Sequence, residues 1–205
     1  MAISMKLEEM KKLLEESIPA KRFKHSVAVY ETALELAAAH KLTADKIAVA
    51  ALLHDCGREV NSKESVAKAR ELGIDIDMIE LEQPILLHAK IGVYNAVHKY
   101  GVTDKEILDG ILYHTTGAAD MTDLAKVVYL ADMLEPGRDF PGIEELRRQA
   151  FKNLDKAMLM AYANTMIYLL DGGLLIHPRC VEGYNQLRIQ AKKSRLSRRY
   201  IWKKI

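Results

Sequence analysis

Ile47-Ala48-Val49-Ala50-Ala51-Leu52-Leu53-His54-Asp55 is an apolar helical run that closes on an imidazole and a carboxylate. Thr43 fits the N-cap of this helix, Asp45 suits the positive end of its dipole, and Gly57 breaks the pattern beyond it. His54 follows Ile47, Ala50 and Ala51 on the inward face. A carboxylate beside an imidazole in such surroundings is costly to bury unless something satisfies it. A divalent metal does so, because imidazole nitrogens and carboxylate oxygens together form first-row metal sites.

Helical periodicity extends outward from this run. Between Arg22 and His40, residues His25, Val29, Thr32, Ala33 and Leu36 share one face. Downstream, Ser62 can cap a short helix stopping near Gly73, and Pro84 suits the first turn of a longer helix ending near Gly101. Thr103-Asp104-Lys105-Glu106 has the form of a capping box and starts a helix that delivers His114 at its far end. His114-Thr115-Thr116-Gly117 reads as a loop, Asp123 to Met133 as a helix, and Glu135 to Gly142 as the strongest break in the chain. A long amphipathic helix is expected from Asn153 to Leu170, ended by Gly172-Gly173, and Pro178 admits a final helix. No period-2 stretch reads as a strand, and no repeat or linker divides the chain. The expected fold class is therefore all-α, a single helical bundle, with an N-terminal helix over 1–20, the domain proper over 21–190 and a basic tail over 191–205.

The chain of 205 residues is long enough to bury a core without disulfide staples. Its two cysteines, Cys56 and Cys180, are no disulfide framework and suit a reducing cytoplasm. No signal-peptide core or stretch of membrane-spanning length is present, which predicts a soluble protein with no membrane partner. Net charge is +2, but Lys192 to Ile205 holds seven Lys or Arg and no acid, so the rest of the chain is net acidic. Such a tail could meet nucleic acid or anionic lipid, although a solvated final helix explains it equally well.

Two further inward positions strengthen the metal reading. Asp132 falls on the face of Ala125 and Val128, and His25 on that of Val29 and Leu36. Three helices thereby turn ligands toward one interior, as bundle metal sites require. His88 and His114 could hold a second metal or touch the phosphates of a substrate, and the sequence leaves both roles open. His40 and His98 lack comparable context and read as surface residues. A centre of this kind suits phosphate ester or anhydride hydrolysis, for which Arg22, Arg58 and Arg138 are candidate phosphate-binding cations. Cys56 reads as structural, since an apolar site beside a carboxylate raises a thiol's pKa. Walker-type loops, nucleophile-elbow serines and dinucleotide fingerprints are absent.

His25, His54-Asp55 and Asp132 match the H…HD…D pattern of HD-domain metal-dependent phosphohydrolases. Leu87-His88-Ala89 with Gly92, Tyr113 to Gly117, and Tyr129 to Asp132 running into Glu135-Pro136-Gly137-Arg138 narrow the likeness. Together, from Lys21 to Gln190, these segments resemble the bacterial enzymes that cleave diadenosine tetraphosphate symmetrically. The resemblance implies water attack giving two ADP, at a divalent metal of iron type, with manganese, cobalt or magnesium as alternatives. It implies metal ligation by His25, His54, Asp55 and Asp132, and catalytic roles for His54, Asp55, His88, His114 and Arg138. It further implies nucleotide contacts at Arg22, Asp55, Cys56, Gly57, Arg58, His88, His114, Thr115, Arg138 and the segment Leu175-Ile176-His177-Pro178-Arg179-Cys180. Many HD-domain proteins carry lysine where this chain has Arg58, which leaves any general-acid role there unsupported, because guanidinium does not give up its proton. Competing expectations are an HD-domain phosphatase of mononucleotides and a nucleotide- or RNA-binding regulatory module using the basic tail. The expected partner is the dinucleotide, with nucleic acid not expected and homodimer formation left open.

Overall fold

The computed structural model describes residues 5–193. In chain order the helices are α1 (Leu7–Ser17), α2 (Ala20–Ala39), α3 (Ala44–Leu53), α4 (Ser65–Glu71), α5 (Met78–Glu82), α6 (Leu87–His98), α7 (Lys105–Tyr113), α8 (Asp123–Leu134), α9 (Ile143–Ala150), α10 (Leu154–Asp171) and α11 (Pro178–Lys193). Two 3-10 turns, Cys56–Glu59 and Pro84–Leu86, complete the regular structure, and no strand occurs among the described residues. The all-α expectation holds. Beyond Lys193 the basic tail lies outside the described residues.

α3 sits at the centre, packed by α2, α7 and α8, so every residue from Ile47 to Leu53 is buried. α6 packs on α7 and on the turn Cys56–Glu59, while α10 covers α8, α9 and α11. α1 adds Met10 and Leu14, both wholly buried, to the same core. A smaller cluster of Ala69, Leu87 and Ile91 lies between α4 and α6. No described helix is long and apolar enough to cross a membrane.

Local details differ from the sequence reading. Asp104, not Thr103, caps α7, its Oδ1 accepting from the Glu106 amide at 3.0 Å. Asn61, rather than Ser62, organises the entry to α4, since its Oδ1 accepts from the amides of Lys63 and Glu64. Thr43 occupies the N-cap of α3 without a side-chain cap bond. Two helices lie outside the sequence reading. α5 has five residues and is fastened by reciprocal Asp77–Glu80 capping bonds, whereas α9 buries only Ile143, Leu146, Gln149 and Ala150 among charged neighbours. His98 is exposed as expected, but His40 is half-buried, its Nε2 2.6 Å from the Ala150 carbonyl oxygen.

One close approach positions the centre of the molecule. A Cβ at Gly57 would stand 2.1 Å from the His88 carbonyl oxygen and 2.6 Å from the Gly92 nitrogen. Only glycine lets the turn after α3 lie against α6, and that contact carries Asp55 to His88.

Candidate metal centre

His54 is the C-cap of α3, His114 the C-cap of α7, and His88 lies in the first turn of α6. Each presents its Nδ1 to the carbonyl three residues earlier: His54 to Ala51 at 2.7 Å, His88 to Ile85 at 2.5 Å and His114 to Ile111 at 2.7 Å. A carbonyl can only accept, so each Nδ1 carries the proton and each Nε2 is left with a lone pair. Backbone geometry at the helix ends thus sets three imidazoles in the tautomer that metals bind.

The three Nε2 atoms converge on Asp55. Asp55 Oδ1 stands 3.3 Å from His88 Nε2 and 3.8 Å from His114 Nε2, and Oδ2 is 3.9 Å from His54 Nε2. Arg58 Nε reaches Oδ1 at 3.2 Å, and Arg22 Nη1 reaches Oδ2 at 3.4 Å. His25 comes from the middle of α2, its Nε2 2.9 Å from Asp132 Oδ1 and its Nδ1 3.3 Å from Glu135 Oε1. Asp132, in the last turn of α8, also accepts from Arg138 Nη2 at 2.7 Å. Three overlapping triads have ligand atoms within 4.8 Å of one another: His25, His54 and Asp55; His54, His114 and Asp132; Asp55, His88 and His114. Residues scattered over α2, α3, α6, α7 and α8 therefore meet as the sequence pattern anticipates.

Burial by itself would raise the carboxyl pKa of Asp55, yet His54, His88, His114 and Arg58 hold it well below the usual range. Asp132 is likewise pulled down against its own burial, by His25, His54, His114 and Arg138. Burial would lower the His25 pKa, but its hydrogen bond to Asp132 and the charges of Asp132 and Asp55 raise it. His88 and His114 go the other way. Burial first, and then the neighbouring imidazole, lower them to about 3 and about 4.

The donor set fits a divalent cation. His54 Nε2 is buried with no hydrogen-bond partner. His88 and His114 Nε2 face each other at 2.9 Å with both Nδ1 protons already committed, an arrangement that calls for a shared cation. Nitrogen and carboxylate donors in this mixture suit first-row metals. His25, His54, Asp55, His88, His114 and Asp132 all belong to these overlapping groups.

A cleft of about 730 Å³ opens from the Asp132, His114 and Arg138 side, between the loop after α8 and the face of α10. Thr115 lines it, with its hydroxyl 3.1 Å from His114 Nε2. The other expected nucleotide contacts fare differently. Cys56 and Gly57 are buried against α6, where the Cys56 thiol donates to the Gly92 carbonyl, so packing withholds both from the cleft. Burial and the Asp55 charge push that thiol up, consistent with a structural role. The segment Leu175 to Cys180 lines neither the three triads around His54 and Asp55 nor this cleft, and its His177 instead forms a separate group with Asp77 and Glu80. Within it His177 Nε2 lies 3.0 Å from Asp77 Oδ2, Arg179 stands over the Tyr113 ring, and Cys180 is buried, while Leu175 and Pro178 are exposed and Ile176 half-buried.

The sequence reading missed three features. Glu135 binds the second nitrogen of His25, and its place one turn after Asp132 was an available signal. Arg147 of α9 donates to the carbonyls of Leu134, Glu135 and Arg138 and so fastens the loop carrying Arg138. Phe140, Asn164 and Tyr168 line the cleft, and nothing in their spacing marks them.

The sequence model described as HD domain matches residues 22–137. The chain is 35% identical over 171 residues to the symmetrical bis(5'-nucleosyl)-tetraphosphatase of Halalkalibacterium halodurans, covering 83% of this chain and 91% of the relative. The enzyme of the same description from Bacillus subtilis is 34% identical over 186 residues, 89% of this chain and 98% of the relative. Among solved structures, an HD superfamily hydrolase of Clostridium acetobutylicum, described as involved in NAD metabolism, superposes with a TM-score of 0.85 at 32% identity. It covers 91% of this chain and 98% of its own.

Proposed function

The chain belongs to the HD-domain family, and from that premise we propose that it hydrolyses diadenosine tetraphosphate symmetrically, releasing two ADP. The convergence of His25, His54, Asp55 and Asp132 into one ligand set carries this reading, and the description shared by relatives over most of the chain supports it. We assign those four side chains to the metal, which we take to be iron, and place the activity in the cytoplasm, where the free buried Cys56 and Cys180 stay reduced.

When bound, the cation lowers the pKa of a water and neutralises charge on a phosphoryl oxygen. The protein supplies the rest. Arg138, Arg22 and Arg58 are each tethered to a carboxylate of the centre, so their guanidinium groups are fixed where a polyphosphate arrives. His88, His114 and the Thr115 hydroxyl, whose oxygen lies 3.3 and 3.1 Å from the two Nε2 atoms, would face the reacting phosphates, while the proton of the attacking water passes to solvent. Water oxygen bonds to one of the two central phosphorus atoms, and the bridging oxygen between them leaves with the other half.

Incubation of the metal-loaded protein with diadenosine tetraphosphate tests this reading. ADP as the sole nucleotide product is expected. ATP with AMP, or no turnover with iron, manganese, cobalt or magnesium supplied, overturns it. Elemental analysis after anaerobic purification checks the metal.

A further inference from the structure

The loop that leaves α7 presents His114 and Thr115 to the centre and runs on to Thr122, the N-cap of α8. Its middle is held by one side chain from α10. The Ala118 amide donates to the Tyr162 hydroxyl at 3.1 Å, and that hydroxyl donates back to the Ala118 carbonyl oxygen at 3.2 Å. A hydroxyl that both accepts and donates in this way fixes the peptide units on either side of the Ala118 Cα. Tyr162 is buried, and burial pushes its phenol pKa up, so the proton for the second bond stays in place.

The last helix closes over the same spot. A Cβ at Gly183 of α11 would stand 2.4 Å from the Tyr162 hydroxyl and 2.7 Å from the Ala118 carbonyl oxygen. One turn further along, Gln186 accepts from the Asp120 amide at 2.6 Å and donates to the Asp120 carboxylate. Tyr162 also reaches the other wall of the centre. Its ring meets that of Tyr129, with centroids 5.6 Å apart, one turn before Asp132 on α8. Tyr162, Gly183 and Gln186 all lie beyond residue 137, outside the segment that the HD-domain model matches.

We propose that Tyr162 is a positioning residue of the centre. Its hydroxyl, seated by Gly183, sets the loop after α7 so that Thr115 stays against His88 and His114, opposite Asp132. This rests on the hydrolytic reading above and adds to it a requirement met by α10 and α11. Thr115 Oγ1 lies 3.3 Å from His88 Nε2 and 3.1 Å from His114 Nε2, contacts that a shifted loop would lose. Misplacement of reacting groups by about 1 Å can cost on the order of 100-fold in rate.

Turnover of diadenosine tetraphosphate by the wild type, measured first, tests the hydrolytic reading by itself. Tyr162→Phe keeps the ring and removes only the hydroxyl, whereas Gly183→Ala drives a methyl group against that hydroxyl. Each should lower kcat on the order of tenfold, move KM by less than about twofold and leave the metal content unchanged. Thr115→Ala should also be slow, and the double variant Thr115→Ala/Tyr162→Phe no slower than the slower single variant, because both act through one loop. Hydrogen exchange at the Ala118 amide of the metal-loaded protein gives a reading independent of turnover, and Tyr162→Phe should speed it on the order of tenfold. Unchanged exchange at Ala118 would overturn the proposal whatever the turnover. So would an unchanged kcat in Tyr162→Phe, Gly183→Ala or Thr115→Ala, losses that multiply in the double variant, or a fall in kcat that only follows a fall in bound metal.

Discussion

His54 holds its Nδ1 2.7 Å from the Ala51 carbonyl oxygen, and this one bond aims Nε2 of a buried side chain at the carboxylates of the centre. The carbonyl claims the proton, so Nε2 faces the carboxylates as a lone pair without a partner. An unpaired polar atom in a packed interior costs about 1–3 kcal/mol, a cost that cation binding removes. The same device recurs at His88 and His114, which makes the helix end, rather than any single residue, the repeating unit of the centre.

Replacing His54 by alanine should strip the metal while leaving the bundle folded. Outer partners of metal ligands are worth about 10- to 100-fold in affinity or activity, so a direct ligand should cost at least ~100-fold. Elemental analysis, turnover and far-ultraviolet circular dichroism read the three quantities. Near-normal metal content and activity would remove His54 from the ligand set.

Glu135 orients His25 through Nδ1, and Glu135→Gln keeps the size while removing the charge. Metal affinity should fall about 10-fold or more, with the thermal midpoint of the metal-free protein little changed. Titration with a competing chelator measures this directly. An unchanged affinity would mean that the contact does nothing for the ligand.

Arg147 fastens the active loop through three backbone carbonyls, a task that needs the width of a guanidinium. Arg147→Lys should therefore behave much like Arg147→Ala. Each is expected to lose about 2 kcal/mol of stability, since hydrogen bonds from charged groups contribute about 1.5–3 kcal/mol. Both should also raise KM more than they lower kcat, because Arg138 is then poorly placed for phosphate. Full rescue by lysine would refute the clamp.

Gly57→Ala forces a methyl group into the His88 carbonyl, and both sides of the clash are backbone. Overpacking of this kind costs about 1–3 kcal/mol or more. The displaced turn also draws Asp55 from His88, so turnover should drop alongside the thermal midpoint. A stable and fully active variant would show that the contact between this turn and α6 does not set the centre.

Much of the design was readable in one dimension. The apolar run into His54-Asp55, the faces of His25 and Asp132, and the helix delivering His114 all follow from spacing along a single helix. Where the reading failed, the missing quantity was a partner. α5 is too short to show a period and is held by reciprocal capping bonds, whereas α9 carries Ile143, Leu146 and Ala150 at i, i+3 and i+7 among charged residues and is held by burying that stripe. The resemblance implies nucleotide contacts at Cys56 and Gly57, and what only the fold adds is that the Cys56 thiol donates to the Gly92 carbonyl and Gly57 lies against the His88 backbone.

Sequence alone determined most of the helices, several of their caps to within a few residues, and which side chains had the chemistry to bind a metal. These depend on interactions between residues three or four positions apart, which a periodic pattern records. Tertiary structure decided that His25 meets Glu135 across 110 positions, that Arg147 closes on the loop of Arg138, and that Phe140 and Tyr168 share a cleft. Those relationships arise from how helix faces pack once the chain has closed on itself, and no local rule carries them.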